Sequence, residues 1–244
     1  MAKNAVITGT NRGIGRALLE AFAQDGYNVW ACARTRTDEF EEDIGQIRKK
    51  TGRDIIPVYF DLSDEAQVRE GMKTVLSEKK DIDVLVNNAG AAHGGLLTMT
   101  PVDTLRSVYE VNVFAQVLLM QAAARRMMRQ GSGCIINMCS VGGIEANPGY
   151  LAYGSSKAAL AFITRTASKE LGRYGIRVNG IAPGLIDTDM GHYKTPEEQE
   201  KVLGRVCLGR IGRPDEVAKA ALYLASEEAA YITGHILVLD GGRL

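Results

Sequence analysis

The sequence has 244 residues, 45% of them hydrophobic and 24% charged, a composition typical of a globular protein with a large core. The formal net charge is +0, so the whole molecule has no net electrostatic attraction for nucleic acid or for an anionic membrane. No apolar run reaches about 18 residues, and the first residues lack the apolar stretch and cleavage site of a signal peptide. We therefore expect a cytoplasmic protein with no membrane span and no nucleic-acid partner.

Short apolar runs alternate along the chain with longer amphipathic stretches. The runs of strand length are residues 5–8, 28–33, 55–60, 84–86, 134–138, 177–181 and 236–239. The stretches of helical length include residues 16–24, 64–78, 104–129 and 153–173. Nearly continuous apolar strands joined by helices indicate a parallel sheet that is covered on both faces. Because such crossovers are right-handed, the pattern predicts a single doubly wound Rossmann-type α/β domain over residues 1–244, with about seven strands.

The segment 187–209 is the least regular long stretch of the sequence. It contains Gly191, Pro196 and the charged run Glu197-Glu198-Gln199-Glu200-Lys201. Such a run is typical of a solvated helix face. Its position after a late strand also fits a lid over a site.

The cysteines and histidines of the chain form no metal or redox motif. The cysteines are Cys32, Cys134, Cys139 and Cys207, and the histidines are His93, His192 and His235. No two cysteines form a C-x-x-C pair, and the histidines are widely separated. This spacing predicts reduced, mostly buried thiols and no metal site.

A glycine-rich turn follows the first predicted strand. It reads Thr8-Gly9-Thr10-Asn11-Arg12-Gly13-Ile14-Gly15 and leads into a predicted helix. Glycines at these positions allow a tight turn and a close approach of the backbone to a pyrophosphate. The helix that follows presents free N–H groups to an anion. The pattern alone also fits an ordinary strand-to-helix turn, but its place in the first βαβ unit favours dinucleotide binding.

The tip of the second predicted strand indicates which dinucleotide is bound. NAD sites usually place an acidic residue there for the ribose 2′-hydroxyl. Here the strand ends Cys32-Ala33-Arg34, and Arg12 lies within the glycine turn. Two guanidinium groups suit a 2′-phosphate, so the sequence favours NADP(H). The alternative is that Arg34 and Arg36 are solvated loop charges.

Three residues form a candidate catalytic group. Tyr153 and Lys157 are four apart, so in a helix they share one face, and a nearby cation lowers the pKa of a phenol. That brings Tyr153 closer to working pH as a general acid or base. Ser140 follows the apolar run 134–138, at the sheet edge where ligands bind in open α/β folds. Alone, Ser140 would be an ordinary turn residue.

With these motifs together, the chain resembles the short-chain dehydrogenase/reductase family over essentially its whole length. The matching residues are Thr8-Gly9-x-x-x-Gly13-x-Gly15, Asn87-Asn88-Ala89-Gly90, Asn112, Ser140, Tyr153-x-x-x-Lys157 and Pro183-Gly184. Within the family, the chain is most similar to 3-oxoacyl-[acyl-carrier-protein] reductases, in residues 178–190, 209–218 and 231–242. Many relatives that act on other substrates share these stretches.

The resemblance implies a role for each matching residue. Tyr153 would protonate the substrate oxygen, Lys157 would lower the tyrosine pKa and bind the nicotinamide ribose, and Ser140 would orient the carbonyl. Asn112 would hold a water that links Lys157 to solvent. The other residues expected to contact the cofactor are Gly9, Asn11, Arg12, Gly13, Ile14, Gly15, Arg34, Asp61, Leu62, Asn88, Ala89, Gly90, Pro183, Gly184, Ile186 and Thr188.

The substrate and partners are less constrained by the sequence. Residues 91–95, 145–147 and 191–194 are expected to rim the pocket, and their mixed polarity suits a small polar ketone as well as an acyl thioester. An acidic carrier protein would need a basic patch, for which Arg125, Arg126, Arg129, Arg173 and Arg177 are candidates. Cations at helix C-termini are the alternative explanation. The resemblance implies a homotetramer, and a non-catalytic NADP(H)-binding sensor is the least favoured function.

Overall fold

The computed structural model describes residues 2–78, 80–188 and 196–244, with no side-chain description for residues 196–199. Its strands are β1 (Asn4–Thr8), β2 (Asn28–Ala33), β3 (Ile55–Tyr59), β4 (Val84–Asn87), β5 (Gly133–Met138), β6 (Ile176–Pro183) and β7 (Ile236–Leu239). Its α-helices are α1 (Gly13–Gln24), α2 (Asp38–Thr51), α3 (Glu65–Ser77), α4 (Val102–Tyr109), α5 (Ala115–Gln130), α6 (Leu151–Leu171), α7 (Pro196–Leu203) and α8 (Pro214–Ala225).

The seven strands of the described residues form one parallel sheet in the order β3-β2-β1-β4-β5-β6-β7. The chain runs outward from β1 to β3, then crosses back to β4 on the other side of β1. The reversal opens a crevice beyond the carboxyl ends of β1 and β4, which is where open α/β sheets bind ligands. The predicted doubly wound fold, with seven parallel strands, is confirmed.

Two apolar layers cover the sheet, and alternate residues of each strand contribute to opposite layers. In β1, Ala5 and Ile7 face the layer that contains α1, α2 and α8, while Val6 faces the layer that contains α3 and α5. In α1, Leu18 and Phe22 are fully buried one turn apart. Apolar side chains therefore cover both faces of the sheet. Polar groups that bind ligands are left to the ends of the strands.

The helix predicted over residues 104–129 differs from the structure. A helical segment begins at Val102 and ends at Gln130, but a π-helical turn over Glu110–Phe114 separates α4 from α5. A π-turn inserts one extra residue into a helix and occurs often at functional sites. The side-chain pattern on either side is still helical, so periodicity could not reveal the turn.

The charged run Glu197–Lys201 lies within α7, in agreement with its helical prediction. The last two residues of the run, Glu200 and Lys201, are exposed. The predicted lid spans residues 187–209, of which 189–195 lie outside the described residues. The rim residues Gly191, His192, Tyr193 and Lys194 are among these, so the lid stays a prediction.

In the described part of the chain, no helix is both long and apolar enough to span a membrane. Within the same residues, no group of three or more histidine, cysteine, aspartate or glutamate side chains is arranged to hold a metal. The four cysteines are free thiols, of which Cys207 is exposed and the other three are buried.

Candidate active site

In the glycine turn, the backbone lies so close to neighbouring atoms that it leaves no room for side chains. A Cβ at Gly15 would lie 1.8 Å from the carbonyl oxygen of Gly9, and one at Gly9 would lie 3.0 Å from Cβ of Ala89. Gly9 and Gly13 also have positive φ values of 71° and 53°. The turn therefore brings the end of β1 against the end of β4 and leaves the N-terminus of α1 facing the crevice. These are the properties of a pyrophosphate cradle, and the residues present fit a dinucleotide.

Thr8 and Asn88 hold this turn in place. The Thr8 hydroxyl accepts hydrogen bonds from the backbone N–H groups of Asn88 and Ala89, both at 3.0 Å. The Asn88 side chain donates to the carbonyls of Thr8 at 2.8 Å and Gly9 at 3.4 Å. The side chain of Asn88 thus supports the cradle, and its expected contact with a ribose remains a prediction.

The nucleotide end of the crevice carries two exposed arginines, Arg12 in the turn and Arg34 after β2. Hydrogen bonds from Ser63, aided by the smaller influence of the Arg34 charge, lower the pKa of Asp61. Arg34 and Asp61 therefore share one edge of the sheet. Leu62 has its side chain in the core, so only its backbone could face a cofactor.

Ser140 lies just beyond β5, as expected. Its hydroxyl oxygen accepts a hydrogen bond from the N–H of Gly142 at 3.0 Å, and the side chain is nearly buried. A hydroxyl has one donor and two acceptor positions, so a hydroxyl that accepts here keeps its hydrogen for another oxygen. Gly142 and Gly143 then pass close to α6, because a Cβ at Gly143 would lie 2.7 Å from the N of Ala158.

Tyr153 and Lys157 lie one turn apart in α6. The Lys157 ammonium is 5.9 Å from the centroid of the Tyr153 ring and donates to the carbonyl oxygen of Met138 at 2.7 Å. Only 4% of Lys157 is exposed, and its burial lowers the pKa from 10.5 to about 8. A lysine with no carboxylate partner in the described residues is costly to bury, which marks it as a functional group.

Asn112 occupies the centre of the π-turn and is fully buried. Its amide nitrogen donates to the Ala91 carbonyl at 2.8 Å and to the Ser156 hydroxyl at 2.9 Å, and its oxygen accepts from the N–H of Ala91 at 2.8 Å. A Cβ at Gly90 would lie 3.1 Å from this oxygen and 3.2 Å from Nζ of Lys157. Both atoms thus border one small space, which is consistent with the predicted water link.

The residues expected at the nicotinamide end follow β6. Pro183 ends that strand, and the N–H of Gly184 donates to the Leu239 carbonyl at 2.9 Å. Ile186 is paired with Gly212 in an isolated bridge. A Cβ at Gly13 would lie 3.1 Å from Cγ2 of Thr188, so this segment meets the glycine turn.

One of the three predicted rim segments, residues 91–95, lies beside the residues that precede Tyr153. The N–H of Gly95 donates to the Gly149 carbonyl at 2.9 Å, and Gly95 forms a bridge with Tyr150. The Tyr150 and Tyr153 rings meet edge to face at 6.3 Å. Gly95, Gly149 and Tyr150 therefore lie on one side of Tyr153, and the second predicted rim segment, 145–147, precedes Gly149 by two residues.

Several supporting residues were missed by sequence reasoning. Ser156, Arg205 and Arg243 belong to no motif, although Ser156 binds Asn112 and both arginines bind Glu145 of the rim. The Met138 carbonyl that holds Lys157 could not be predicted either, because any residue type supplies a carbonyl. Thr8 was within the glycine motif, but its capping role depends on strands that are adjacent only in the fold.

This arrangement agrees with comparisons to known proteins. A family model described as enoyl-(acyl carrier protein) reductase matches residues 9–243. Among curated proteins, the chain is similar to 3-oxoacyl-[acyl-carrier-protein] reductases. One from Chlamydia trachomatis is 38% identical, over 98% of this chain and 96% of its own. Another from Thermotoga maritima is 37% identical, over 98% and 97%.

The chain belongs to the short-chain dehydrogenase/reductase family. Two solved structures support the assignment, each with a TM-score of 0.93. One is a 7α-hydroxysteroid dehydrogenase in complex with NADH and a 7-oxo bile acid, 34% identical and covering 98% of this chain and 93% of its own. The other is a short-chain type dehydrogenase/reductase from Mycobacterium ulcerans, 26% identical and covering 99% and 89%. The protein is thus an oxidoreductase that uses a nicotinamide cofactor.

Proposed function

We propose that this protein reduces a ketone with NADPH and that Tyr153 donates the proton. The observation that carries the proposal is the buried Lys157, one helical turn from Tyr153 and at the same sheet edge as Ser140. A sensor that only binds the dinucleotide has no need for this buried cation. The presence of all three groups therefore argues for catalysis.

The residues divide the chemistry between them. When bound, NADPH supplies a hydride for the carbonyl carbon. Ser140 and Tyr153 donate hydrogen bonds to the carbonyl oxygen, where negative charge develops, and Tyr153 transfers its proton to that oxygen. The positive charge of Lys157 stabilises the resulting phenolate and lowers the pKa of Tyr153. Asn112 and Gly90 border the space through which a water would return the proton.

We propose NADP(H) as the cofactor because the tip of β2 carries Arg34 where NAD sites usually carry an acid. Arg34 is exposed and follows β2, beside the end of β3 that precedes Asp61, so its guanidinium would hold the 2′-phosphate of NADP(H). The similar steroid dehydrogenase was solved with NADH. Family membership alone therefore does not decide between the two cofactors.

The substrate that we propose is a 3-oxoacyl thioester, reduced to the 3-hydroxyacyl form on an acyl carrier protein. The support is similarity to 3-oxoacyl-[acyl-carrier-protein] reductases over nearly the whole chain. A second candidate is another ketone or secondary alcohol, such as a sugar or secondary metabolite. The steroid dehydrogenase favours it, because the same fold at 34% identity serves a substrate with no acyl carrier.

Fewer arginines remain as candidates for the basic patch that would contact a carrier protein. Arg177 directs its guanidinium at the carbonyls of Leu224 and Ser226, so this side chain is structural. Arg126 forms an ion pair with Asp81 at 2.8 Å. Arg125, Arg129 and Arg173 are exposed and remain candidates.

We also propose a homotetramer, because two separate faces of the protein expose large apolar side chains. On the face of α4, α5 and α6, Phe162 is 66% exposed and Val102 61%. On the face of β7, Tyr223 is 47% and Val238 40% exposed. Contact between copies of the chain would cover these apolar side chains on both faces. Light scattering at micromolar concentration tests this, and a monomer peak would contradict it.

The deciding experiment is oxidation of NADPH and NADH with acetoacetyl-CoA, a soluble analogue of the carrier-bound thioester. We expect turnover with NADPH to be much faster than with NADH. Crotonyl-CoA is the matched control, because it presents a carbon–carbon double bond in place of the ketone and should not react. Tight NADPH binding without turnover of acetoacetyl-CoA would refute the thioester substrate, and a screen of small polar ketones would then test the second candidate.

A further inference from the structure

The loop after Ser140 carries an ion cluster that joins three distant parts of the chain. The Glu145 carboxylate accepts hydrogen bonds from Nη2 of Arg205 at 2.5 Å and from Nη2 of Arg243 at 2.6 Å. These partners are 60 and 98 residues further along the chain. Arg205 follows α7, and Arg243 follows β7. We call Glu145, Arg205 and Arg243 the charged clasp.

The clasp is more than a surface ion pair. The side chain of Arg243 is only 8% exposed and that of Glu145 is 28% exposed. Within the described residues, the buried Nε of Arg243 has no hydrogen-bond partner, so Glu145 is the acceptor that compensates this guanidinium. Arg205 is 48% exposed, so the main preference for pairing comes from Arg243, whose nearly buried charge would lose its carboxylate partner without Glu145.

The clasp is connected to Ser140 by a short, rigid path. The N–H of Glu145 donates to the Val141 carbonyl at 2.8 Å, and the N–H of Gly143 donates to the Ser140 carbonyl at 3.0 Å. The N–H of Gly142 donates to the Ser140 hydroxyl itself at 3.0 Å. Three backbone N–H groups thus link the loop of Glu145 to Ser140 and to its hydroxyl.

The other side of the clasp is also anchored. Val206 is nearly buried, and the N–H of Leu208 donates to the Gly241 carbonyl at 3.1 Å. The thiol of Cys207 donates to the Gly242 carbonyl at 3.0 Å. Residues 205–208 and 240–243 thus form one supported unit against which Glu145 can hold the serine loop.

We propose that Glu145 is a positioning residue for carbonyl reduction, which fixes the Ser140 loop in its reactive geometry through ion pairs to Arg205 and Arg243. The inference rests on the proposed function, since it assigns Ser140 the task of orienting a ketone. Glu145 itself touches neither the substrate nor the cofactor in this role. Its hydrogen bond with Arg205 is the main cause of its lowered pKa, which favours the charged carboxylate in the clasp.

The test compares Glu145→Gln with Asp81→Asn, well below the unfolding temperature of either variant. Asp81→Asn removes a carboxylate from an arginine pair before β4, far from Ser140 in the fold. We expect Glu145→Gln to lower kcat with acetoacetyl-CoA, or with whichever ketone the wild type reduces, by about tenfold to a hundredfold. The Kd for NADPH should stay within about twofold, and Asp81→Asn should match the wild type in kcat.

Three further measurements separate positioning from a general loss of structure. Hydrogen exchange of peptides covering residues 140–150 should be faster in Glu145→Gln and unchanged in Asp81→Asn. The double variant Glu145→Gln/Arg243→Gln should lose no more kcat than the worse single variant, because residues that act as a unit are not additive. Arg243→Lys, which keeps the charge, should retain more activity than Arg243→Gln.

The outcomes distinguish the two proposals. A wild type that binds NADPH but reduces no ketone refutes the proposed function, and the positioning role with it, while the exchange data still report whether the clasp holds the loop. An active wild type with unchanged kcat and KM in Glu145→Gln overturns the positioning role alone. So does a fall in kcat accompanied by an equal fall in Asp81→Asn.

Discussion

The two ends of the active site are held together by different kinds of interaction. At the nucleotide end, the backbone of Gly9 and Gly15 is in close contact with its surroundings, and Thr8 fixes the neighbouring turn within the sheet. At the substrate end, loops that are far apart in sequence are joined by side-chain ion pairs such as Glu145–Arg243. The comparison shows that this site combines a half defined by close backbone contacts with a half defined by ion pairs between distant side chains.

The largest expected effect lies where the two ends meet. Tyr153→Phe removes the proposed proton donor but keeps the ring, so kcat should fall about a hundredfold to ten-thousandfold. The Kd for NADPH, measured by fluorescence titration, should change little because the cradle is untouched. Turnover within tenfold of the wild type would show that another group supplies the proton.

The nucleotide end should be intolerant of even one methyl group. In Gly15→Ala the new Cβ would start 1.8 Å from the Gly9 carbonyl oxygen, so the turn must shift. We expect a loss of about 1–3 kcal/mol in the free energy of unfolding and weaker dinucleotide binding. Urea unfolding and fluorescence titration measure both.

Gly45→Ala in α2 is the matched control for that substitution, since nothing lies within 4 Å of its new Cβ. Without steric conflict, alanine should stabilise the helix by about 0.5–1 kcal/mol. Equal destabilisation by the two substitutions would contradict the view that backbone contact defines the nucleotide end.

The buried Lys157 predicts a pH-dependent stability. Its pKa falls from 10.5 to about 8 in the folded protein, so between these values the unfolded chain binds more protons. The free energy of unfolding contributed by this residue therefore rises with pH from about 8 to about 10.5 and is lowest below 8. At about 1.4 kcal/mol for each pKa unit, the total change is roughly 2–4 kcal/mol.

Lys157→Met tests this, because methionine fills much of the same volume and does not titrate. The difference in unfolding free energy between wild type and variant should shift in favour of the wild type as pH rises from 7.5 to 10. A difference that stays constant would mean that Lys157 is not desolvated. NADPH oxidation by the variant should be strongly impaired at either pH.

Cofactor choice should depend on Arg34. Arg34→Ser should raise the Kd for NADPH by about tenfold to a hundredfold, because charge-assisted hydrogen bonds to the 2′-phosphate are lost. The Kd for NADH should not change. Arg36→Ser is the control, since Arg36 is paired with Glu41 at 3.2 Å. Equal losses for NADPH and NADH with Arg34→Ser would argue against 2′-phosphate recognition.

Sequence reasoning predicted the parts of the protein that depend on local pattern. The seven strands were evident because buried parallel strands are continuous apolar runs, and the positions of Ser140, Tyr153 and Lys157 followed from strand ends and helical spacing. The glycine turn was also predictable from the sequence, because its geometry tolerates few residues other than glycine. These features are encoded within short stretches of chain.

The remainder depends on contacts that no short stretch encodes. Asn112 was identified by resemblance, but its bonds to Ala91 and Ser156 require segments 21 and 44 residues away. Glu145 was expected at the pocket rim without its partners, since neither Arg205 nor Arg243 differs in pattern from a surface arginine. Arg177 was a candidate for the docking patch, but its guanidinium donates hydrogen bonds to backbone carbonyls. Such pairings become visible only when the fold brings the groups together.

The π-turn over Glu110–Phe114 sets which side chains of α5 face the sheet. Leu119, Ala123 and Met127 of α5 are fully buried, spaced four apart on one stripe against the sheet. If the same residues formed regular α-helix without the π-turn, α5 would be rotated by about 100° relative to α4. The buried stripe would then no longer face the sheet, or Asn112 would lose its hydrogen bonds with the backbone of Ala91. The extra residue thus lets one continuous helical segment satisfy two angular requirements, one for the core and one for the catalytic site.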